Sequence, residues 1–299
     1  MTMFRNFIFA ASVAIAAAPA YAISFDEAYP DIADQLTEED RALVQSLDFI
    51  TGDVVVGGNL ATLSLDGKFF YLNPADTAHV LQKIWGNPPS DGGLGMVFPV
   101  ESSPLHSSGW GMELWFEDIG YVDDKDAQDQ DYDAILKDLQ AEVREANEWR
   151  QENGYESLRL IGWAEDPTYD PEARVVYWAK ELEFGGSPDH TLNFNMRVLG
   201  RKGVLVQNFI ASMDELPSVK NALPSVIAMT EFNEGHRYAD FNPSMDTVAA
   251  VGVGGLVAGK VLTKTGFLAA GLLLLKKFWF VLLLPLIWLK NLFTRKQQD

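Results

Sequence analysis

From Ser157 to Ser212 the chain leaves no room for a crossover helix, and this restricts the folds open to it more than any other feature. In Ser157–Ala164, Leu158, Leu160 and Gly162 alternate with Arg159, Ile161 and Trp163, the two-residue period of a strand whose faces differ. Glu165–Pro171 carries two prolines and two aspartates, which is turn chemistry. A second strand is expected over Arg174–Phe184, with Val176, Trp178, Lys180 and Leu182 on one side and Val175, Tyr177, Ala179 and Glu181 on the other. Gly185, Gly186 and Pro188 stop it. Thr191–Leu199 and Gly203–Ser212 form a hairpin about Gly200, Arg201, Lys202 and Gly203, a loop short enough to force antiparallel pairing. Four strands joined by turns make an antiparallel sheet.

The flanking sequence adds helices and further hairpins. Ser24–Phe49 reads as a helix with Thr37 as an N-cap ahead of Glu38, Glu39 and Asp40. Gly52–Leu65 is β-branched and broken by Gly57 and Gly58, a hairpin, and Lys68–Leu72 is a short strand. Asn73-Pro74-Ala75-Asp76 caps a helix over Thr77–Trp85. Strands are expected at Gly93–Val100 and Gly109–Ile119, and the longest helix at Tyr132–Asn153. Asp214–Phe232 is helical with an interruption at Pro224, and Gly235–Phe241 closes the domain. The expected class is α+β, a mainly antiparallel sheet with helices near Thr77, Tyr132 and Asp214 covering one or both faces.

The two ends have a different character. Arg5 precedes an apolar run from Phe7 to Ala18, and Ala20-Tyr21-Ala22 has the small-x-small form that a signal peptidase accepts. Residues 1–22 are therefore expected to be a signal peptide, cleaved after Ala22, with an uncleaved anchor as the alternative. Residues 23–246 form the extracytoplasmic domain, 247–265 a glycine-rich juxtamembrane segment, 266–289 a transmembrane anchor and 290–299 a cytoplasmic tail. Lys276 and Lys277 fall within the anchor, at an insertion cost of about 2.5–3.5 kcal/mol each at the bilayer centre. Trp279 and Trp288 are of the type that marks a membrane interface. A single span from Phe267 to Leu289 is favoured over a span from Val251 to Leu275 or a hairpin of two short helices. The arrangement predicts a single-pass protein of the bacterial inner membrane with its main domain in the periplasm.

Charge follows the same division. Ile23–Gly259 holds 41 acidic and 15 basic residues, whereas Lys260–Asp299 holds seven basic residues and one acidic one. An acidic domain lacks the basic face that phosphate backbones require, so no nucleic acid is expected as a partner. The lipid bilayer and an envelope protein are the expected partners. The absence of cysteine excludes disulfides, thiolate metal sites and a catalytic thiol.

No stretch carries a recognisable reaction, and neither a catalytic residue, a metal ligand nor a cofactor is assigned. His79, His106, His190 and His236 lie in separate segments, without the i, i+4 pair of a helical zinc site. Asp129-x-Asp131-x-Asp133 lacks the glycine and glutamate of a calcium loop and suits a helix N-terminus instead. Two carboxylate groups offer acid-base chemistry: Glu113 with Glu117 on one strand face, and Glu165, Asp166 and Asp170 on one turn. The candidate binding surface gathers Trp163, Asp166, Tyr169, Asp170 and Trp178 around that turn, with core packing as the competing role for the aromatics. Arg201 and Lys202 offer a basic hairpin tip to lipid or an acidic partner.

Seven blocks carry a family resemblance: WGNPP at Trp85, LGMVFP at Leu94, GYVDDKDA at Gly120, GWAEDPTYD at Gly162, WAKEL at Trp178, LNFNMRVLGRKGVLVQN at Leu192 and GHRYADF at Gly235. In this order they resemble the bacterial domain-of-unknown-function family 2167, over a region from about Asp53 to the membrane segment. The resemblance implies an exported, C-terminally anchored domain and supplies no catalytic residue. Strands followed by a closing helix also resemble sandwich folds of the photosystem-extrinsic type, which bears on fold and not on function. Three functions follow: a binding or assembly module of the envelope, a cell-wall or envelope-polymer hydrolase using paired carboxylates, and a subunit of a membrane complex.

Overall fold

The computed structural model describes residues 19–259, except 88, 89, 107, 153 and 155. The expected signal peptide up to Ala18 and the anchor residues Lys276, Lys277, Trp279 and Trp288 lie outside the described residues. Among the described residues no helix is long and apolar enough to cross a membrane.

The chain opens with β1 (Tyr21–Ile23), then three short helices, α1 (Phe25–Ala28), α2 (Pro30–Ala33) and α3 (Glu38–Val44). The single helix expected over Ser24–Phe49 is divided because Pro30 lacks an N–H and starts a new helix at its first position. Thr37 caps α3 as expected, accepting from Asp40 N at 3.1 Å. Next come β2 (Phe49–Thr51), β3 (Asp53–Val56), β4 (Ala61–Ser64) and β5 (Phe69–Leu72). The β3–β4 hairpin turns where Gly57 and Gly58 both take φ of +63°, a conformation open to glycine. Asn73 caps α4 (Pro74–His79), which continues into a π-wound turn over Val80–Ile84.

After β6 (Met96–Pro99) and β7 (Gly111–Glu117) comes α5 (Tyr132–Glu152), which Asp131 starts by accepting from Ala134 N at 2.9 Å. The meander is β8 (Leu158–Asp170), β9 (Val175–Phe184), β10 (Thr191–Leu199) and β11 (Val204–Ser212). Then α6 (Leu216–Met229), β12 (Thr230–Phe232) and α7 (Val253–Val257) complete the elements.

The turn expected over Glu165–Pro171 is instead the second half of β8, and the chain reverses at Pro171–Arg174. β8 is the edge strand, and its pairing with β9 slips between Leu160 and Gly162, between Trp163 and Glu165, and between Glu165 and Thr168. Bulges on an edge accommodate Pro167, which cannot donate to a ladder.

Nine strands form one sheet in the order β1-β2-β5-β6-β7-β11-β10-β9-β8, and every pairing between them is antiparallel. A second sheet, β12-β4-β3, was not anticipated. The large sheet has two dissimilar faces. Met112, Leu114, Val175, Ala179, Phe194, Met196, Leu205 and Phe209 pack with Val219 and Val226 of α6 and with Val54 and Leu63 of the small sheet. On the other face, α1–α4 cover Phe70, Leu72, Met96 and Phe98 at one end. At the opposite end, Leu136, Leu139 and Val143 of α5 pack on β8 and β9. Beside them α7 buries Val253, Leu256 and Val257 against Val176, Trp178, Leu199, Val204 and Val206. The glycine-rich segment, as far as Gly259, is thus part of the folded unit, and Val253–Val257 is occupied in its core. The Asp126 carboxylate holds the start of α7, accepting from Val253 N at 2.9 Å and Gly254 N at 3.3 Å.

Candidate functional site

The strands of the sheet's centre are apolar on one face and unexpectedly polar on the other. Along β10 the residues on the α7 side are Asn193, Asn195 and Arg197, alternating with buried Phe194 and Met196. Strand register carries the pattern sideways. Trp163, Lys180, Asn193 and Ile210 lie across from one another on β8, β9, β10 and β11. The next row is Trp178, Asn195, Asn208 and Glu113, reaching β7. Val176, Arg197, Val206 and Trp115 form a third. This polar patch borders the area covered by α1–α4 and runs under α7, which packs on Val176, Trp178 and Val206.

Its floor is incompletely hydrogen-bonded. Asn195 Nδ2 donates to Asn193 Oδ1 at 2.8 Å, and Asn193 Nδ2 to Asn208 Oδ1 at 3.2 Å. The chain of amides ends there. Asn208 Nδ2, Glu113 Oε2, Glu117 Oε2 and Trp178 Nε1 are buried with no hydrogen-bond partner. Glu113 is 6% exposed and Asn208 2%, and each such orphaned group costs about 1–3 kcal/mol. Burial, reinforced by the Asp91 charge, pushes the Glu113 carboxyl up to about 7. Burial, reinforced by the Arg197 charge, pulls the Lys180 ammonium down to about 8. The Arg197 guanidinium lies 5.2 Å from the Trp178 ring and 5.8 Å from that of Trp115.

Of the residues expected to gather around one turn, Trp163, Tyr169 and Trp178 pack in one cluster with α7, while Asp166 and Asp170 lie outside it. Trp178 is 2% exposed and belongs to the floor of the patch, while half-buried Trp163 stands at its margin and donates to Tyr132 O at 3.3 Å. Tyr169 donates to Asp124 Oδ2 at 2.6 Å. Asp170 Oδ1 accepts from Glu172 N and Ala173 N and shapes the reversal at Pro171–Arg174, and Asp166 is exposed. Glu165 pairs with Lys220 at 2.5 Å.

Glu113 and Glu117 do share a face of β7, but they are four residues apart, about 13 Å along a strand. His79 contacts Leu43 O at 2.7 Å, and His190 contacts Glu181 at 2.5 Å. Arg201 of the hairpin tip grips Asp246 at 2.7 Å, which leaves Lys202 as the exposed cation there.

A second cluster closes the domain. Asp124 receives Tyr169, Arg174 and Tyr238, whose hydroxyl lies at 3.1 Å, and the Arg174 guanidinium stacks 4.8 Å from the Tyr238 ring. Burial works against the charge of Asp124, but the hydrogen bonds from the two tyrosines and the Arg174 charge more than offset it and hold its carboxyl below the usual range. Each oxygen of Asp124 has a partner, so the cluster acts as a clamp joining three segments remote in sequence.

Asn193, Asn195, Arg197 and Asn208 were not singled out in the sequence, although the signal is present. Three polar side chains at every second position of one strand put an amide-rich face on a sheet that otherwise reads as core.

Comparison with known proteins adds little about activity. No curated protein matches. A solution structure of cyanobacterial PsbP (CyanoP) from Synechocystis sp. PCC 6803 aligns with 59% of this chain and 94% of its own length, at 11% identity and a TM-score of 0.31. The family described as "protein of unknown function (DUF2167)" matches residues 48–287, a region that contains the whole patch and the Asp124 clamp, and the chain belongs to that family.

Proposed function

We propose that this protein is a binding or assembly module of the bacterial envelope, exported by its N-terminal segment and tethered to the inner membrane by residues 266–289. One observation carries the binding role: four buried polar atoms, on Glu113, Glu117, Asn208 and Trp178, share one face of the sheet without partners. Folding tolerates such groups poorly, and a bound ligand that completes their hydrogen bonds recovers the cost. Support for the tether comes from the apolar run that follows Gly266 and from the cationic residues Lys290, Arg295 and Lys296 behind it.

The hydrolase reading has weaker support. Glycan hydrolysis uses two carboxyl groups that flank a bound sugar, whereas Glu113 is 6% exposed and Glu117 accepts from Trp115 Nε1 at 3.4 Å. Glu165 is engaged by Lys220, and Asp170 is engaged by backbone amides. A membrane-complex subunit remains compatible with a binding module, and in that case Lys276 and Lys277 pair with acidic side chains of a partner helix.

The test is photo-crosslinking of the full-length protein in cells, with the reactive group at Trp163 beside the patch or at Val55 on the small sheet. A specific adduct from position 163 and none from position 55 is the expected result. Equal yields from both positions would remove the patch as the binding surface. A reporter fused at Asp299 is expected to give a cytoplasmic signal, and a periplasmic signal would end the single-crossing arrangement.

A further inference from the structure

In a domain this acidic, at least seven of the fifteen basic side chains hold a carboxylate in an ion pair, and most of the others are exposed. Arg41 holds Asp26, Lys125 holds Asp123, Arg159 holds Glu183, Arg174 holds Asp124, Arg201 holds Asp246, Lys220 holds Glu165 and Arg237 holds Glu231. Lys180 and Arg197 are half-buried, where pairing matters most, yet among the described residues neither has an ion pair. Arg197 makes one hydrogen bond, from Nη1 to Met196 O at 3.2 Å, and Glu117 acts on it only through space.

The two cations flank a directly opposed pair, Trp178 on β9 and Asn195 on β10: Lys180 is two residues beyond Trp178, and Arg197 is two residues beyond Asn195. Trp178 Nε1 is the donor with no acceptor. The two cations stand on either side of a free N–H, close enough for the Arg197 charge to act on Lys180, and the one carboxylate that acts on Arg197, Glu117, does so without an ion pair.

We infer that Lys180, Arg197 and Trp178 Nε1 form a binding site for the carboxylate or phosphate of a small hydroxyl-bearing ligand, whose uncharged part lies along Asn195, Asn193, Asn208 and Glu113. The amides and the Glu113 carboxyl provide donors and acceptors at the spacing of neighbouring strands, suited to hydroxyl groups. The lowered Lys180 ammonium has the same origin, since burial and the Arg197 charge both disfavour its charged form and an anion between the two cations relieves both effects. The inference rests on the binding-module reading and names the chemistry of its site.

The test uses the full-length chain in a non-ionic detergent without a sugar headgroup, with inorganic phosphate, glucuronate and glucose as probes. Thermal midpoint and tryptophan emission are the readouts. Phosphate or glucuronate is expected to raise the midpoint and shift the emission beyond chloride at equal ionic strength, and glucose to do so only weakly. A response to phosphate alone identifies a phosphorylated ligand, and one to glucuronate alone identifies a carboxylated ligand.

Lys180→Met is expected to raise the ligand-free midpoint, because it removes an unpaired half-buried cation, and to weaken anion binding at least tenfold. Arg197→Lys, which keeps the charge and loses the planar fork, is expected to bind more weakly than the parent and better than Lys180→Met. The inference fails if neither anion acts beyond chloride, if Lys180→Met responds like the parent, or if Lys180→Met lowers the ligand-free midpoint. A failure here combined with patch-specific crosslinking at position 163 would leave the binding module standing and reject only its anionic ligand.

Discussion

Glu113 is a carboxylic acid set where a carboxylate is costly: one oxygen is orphaned, and the residues opposite it are Asn208 and Met96. Its folded value of about 7 lies above the ordinary 4.5, so the folded state binds the proton more tightly than the unfolded one. The stability this gives is complete below about pH 4.5 and is lost as pH rises through 7, at about 1.4 kcal/mol for each pH unit between those two values and so about 3 kcal/mol in total. Glu113→Gln removes the titration. The variant is expected to match the parent within about 1 kcal/mol at pH 5 and to exceed it by about 2–3 kcal/mol at pH 8, read as the difference between the two denaturation midpoints at each pH. Equal stability at both pH values would mean that Glu113 finds a partner or water. Sequence pattern placed Glu113 correctly on the face it shares with Trp115 and Glu117, and it placed Trp178 and Lys180 together as well. It did not show which face of β10 was buried core and which was patch, because Asn193 and Asn195 differ from solvent-facing residues only in what is packed above them. The aromatic members of the group expected around Asp166 share one cluster with α7, with Tyr169 paired to Val176 on β9, and Asp166 alone is exposed because the bulges of β8 change which side chains face the sheet.

Elements were legible wherever the two-residue period stayed unbroken. β9, β10 and β11 and both of their turns lie where alternation put them. β8 was cut short because Asp166, Pro167 and Asp170 are turn residues by composition, and only the neighbouring strand reveals that the chain stays extended there. The same residues explain how the sheet tolerates an edge. Side chains of α5 satisfy part of the outer ladder, with Gln140 Nε2 donating to Leu160 O and Ile161 O at 3.2 and 3.1 Å and Asn147 exchanging two hydrogen bonds with Leu158 at 2.8 Å. Beyond Ile161 the bulges and Pro167 provide the remaining protection, since an irregular edge without a regular row of donors is a poor template for a second chain. Pro167→Val restores an N–H and a good strand former at the centre of that stretch. The full-length variant in detergent is expected to stay folded, with an unchanged far-ultraviolet spectrum, while a larger share elutes as dimer or higher oligomer. An elution profile identical to the parent's would show that the bulges alone protect the edge.

On the scale of the whole molecule, the chain leaves the described fold from the face that carries the patch. α7 is packed on that face and ends at Val257, and Gly259 is the last described residue before the apolar run that begins after Gly266. Six residues separate Gly259 from Gly266, a reach of about 20–25 Å when extended. Under the proposed tether, the end of the domain near α7 therefore stays close to lipid, and the small sheet on the opposite face stays away. Val248 is 54% exposed and bridges to Tyr121, whose neighbour Val122 packs against α7, whereas Val55 is 58% exposed on β3. Because the protein has no cysteine, each position can carry a single label without altering any other residue. A fluorophore on Val248→Cys in the full-length protein, reconstituted into vesicles, is expected to be quenched by lipids bearing a headgroup quencher, and one on Val55→Cys to be unaffected. The two residues are similarly exposed, so a difference between them reports distance from the bilayer and not access to solvent. Equal quenching would place both faces at the same height and contradict a tether leaving from α7, and an absence of quenching at both would mean that the domain stands off the surface despite its short connection.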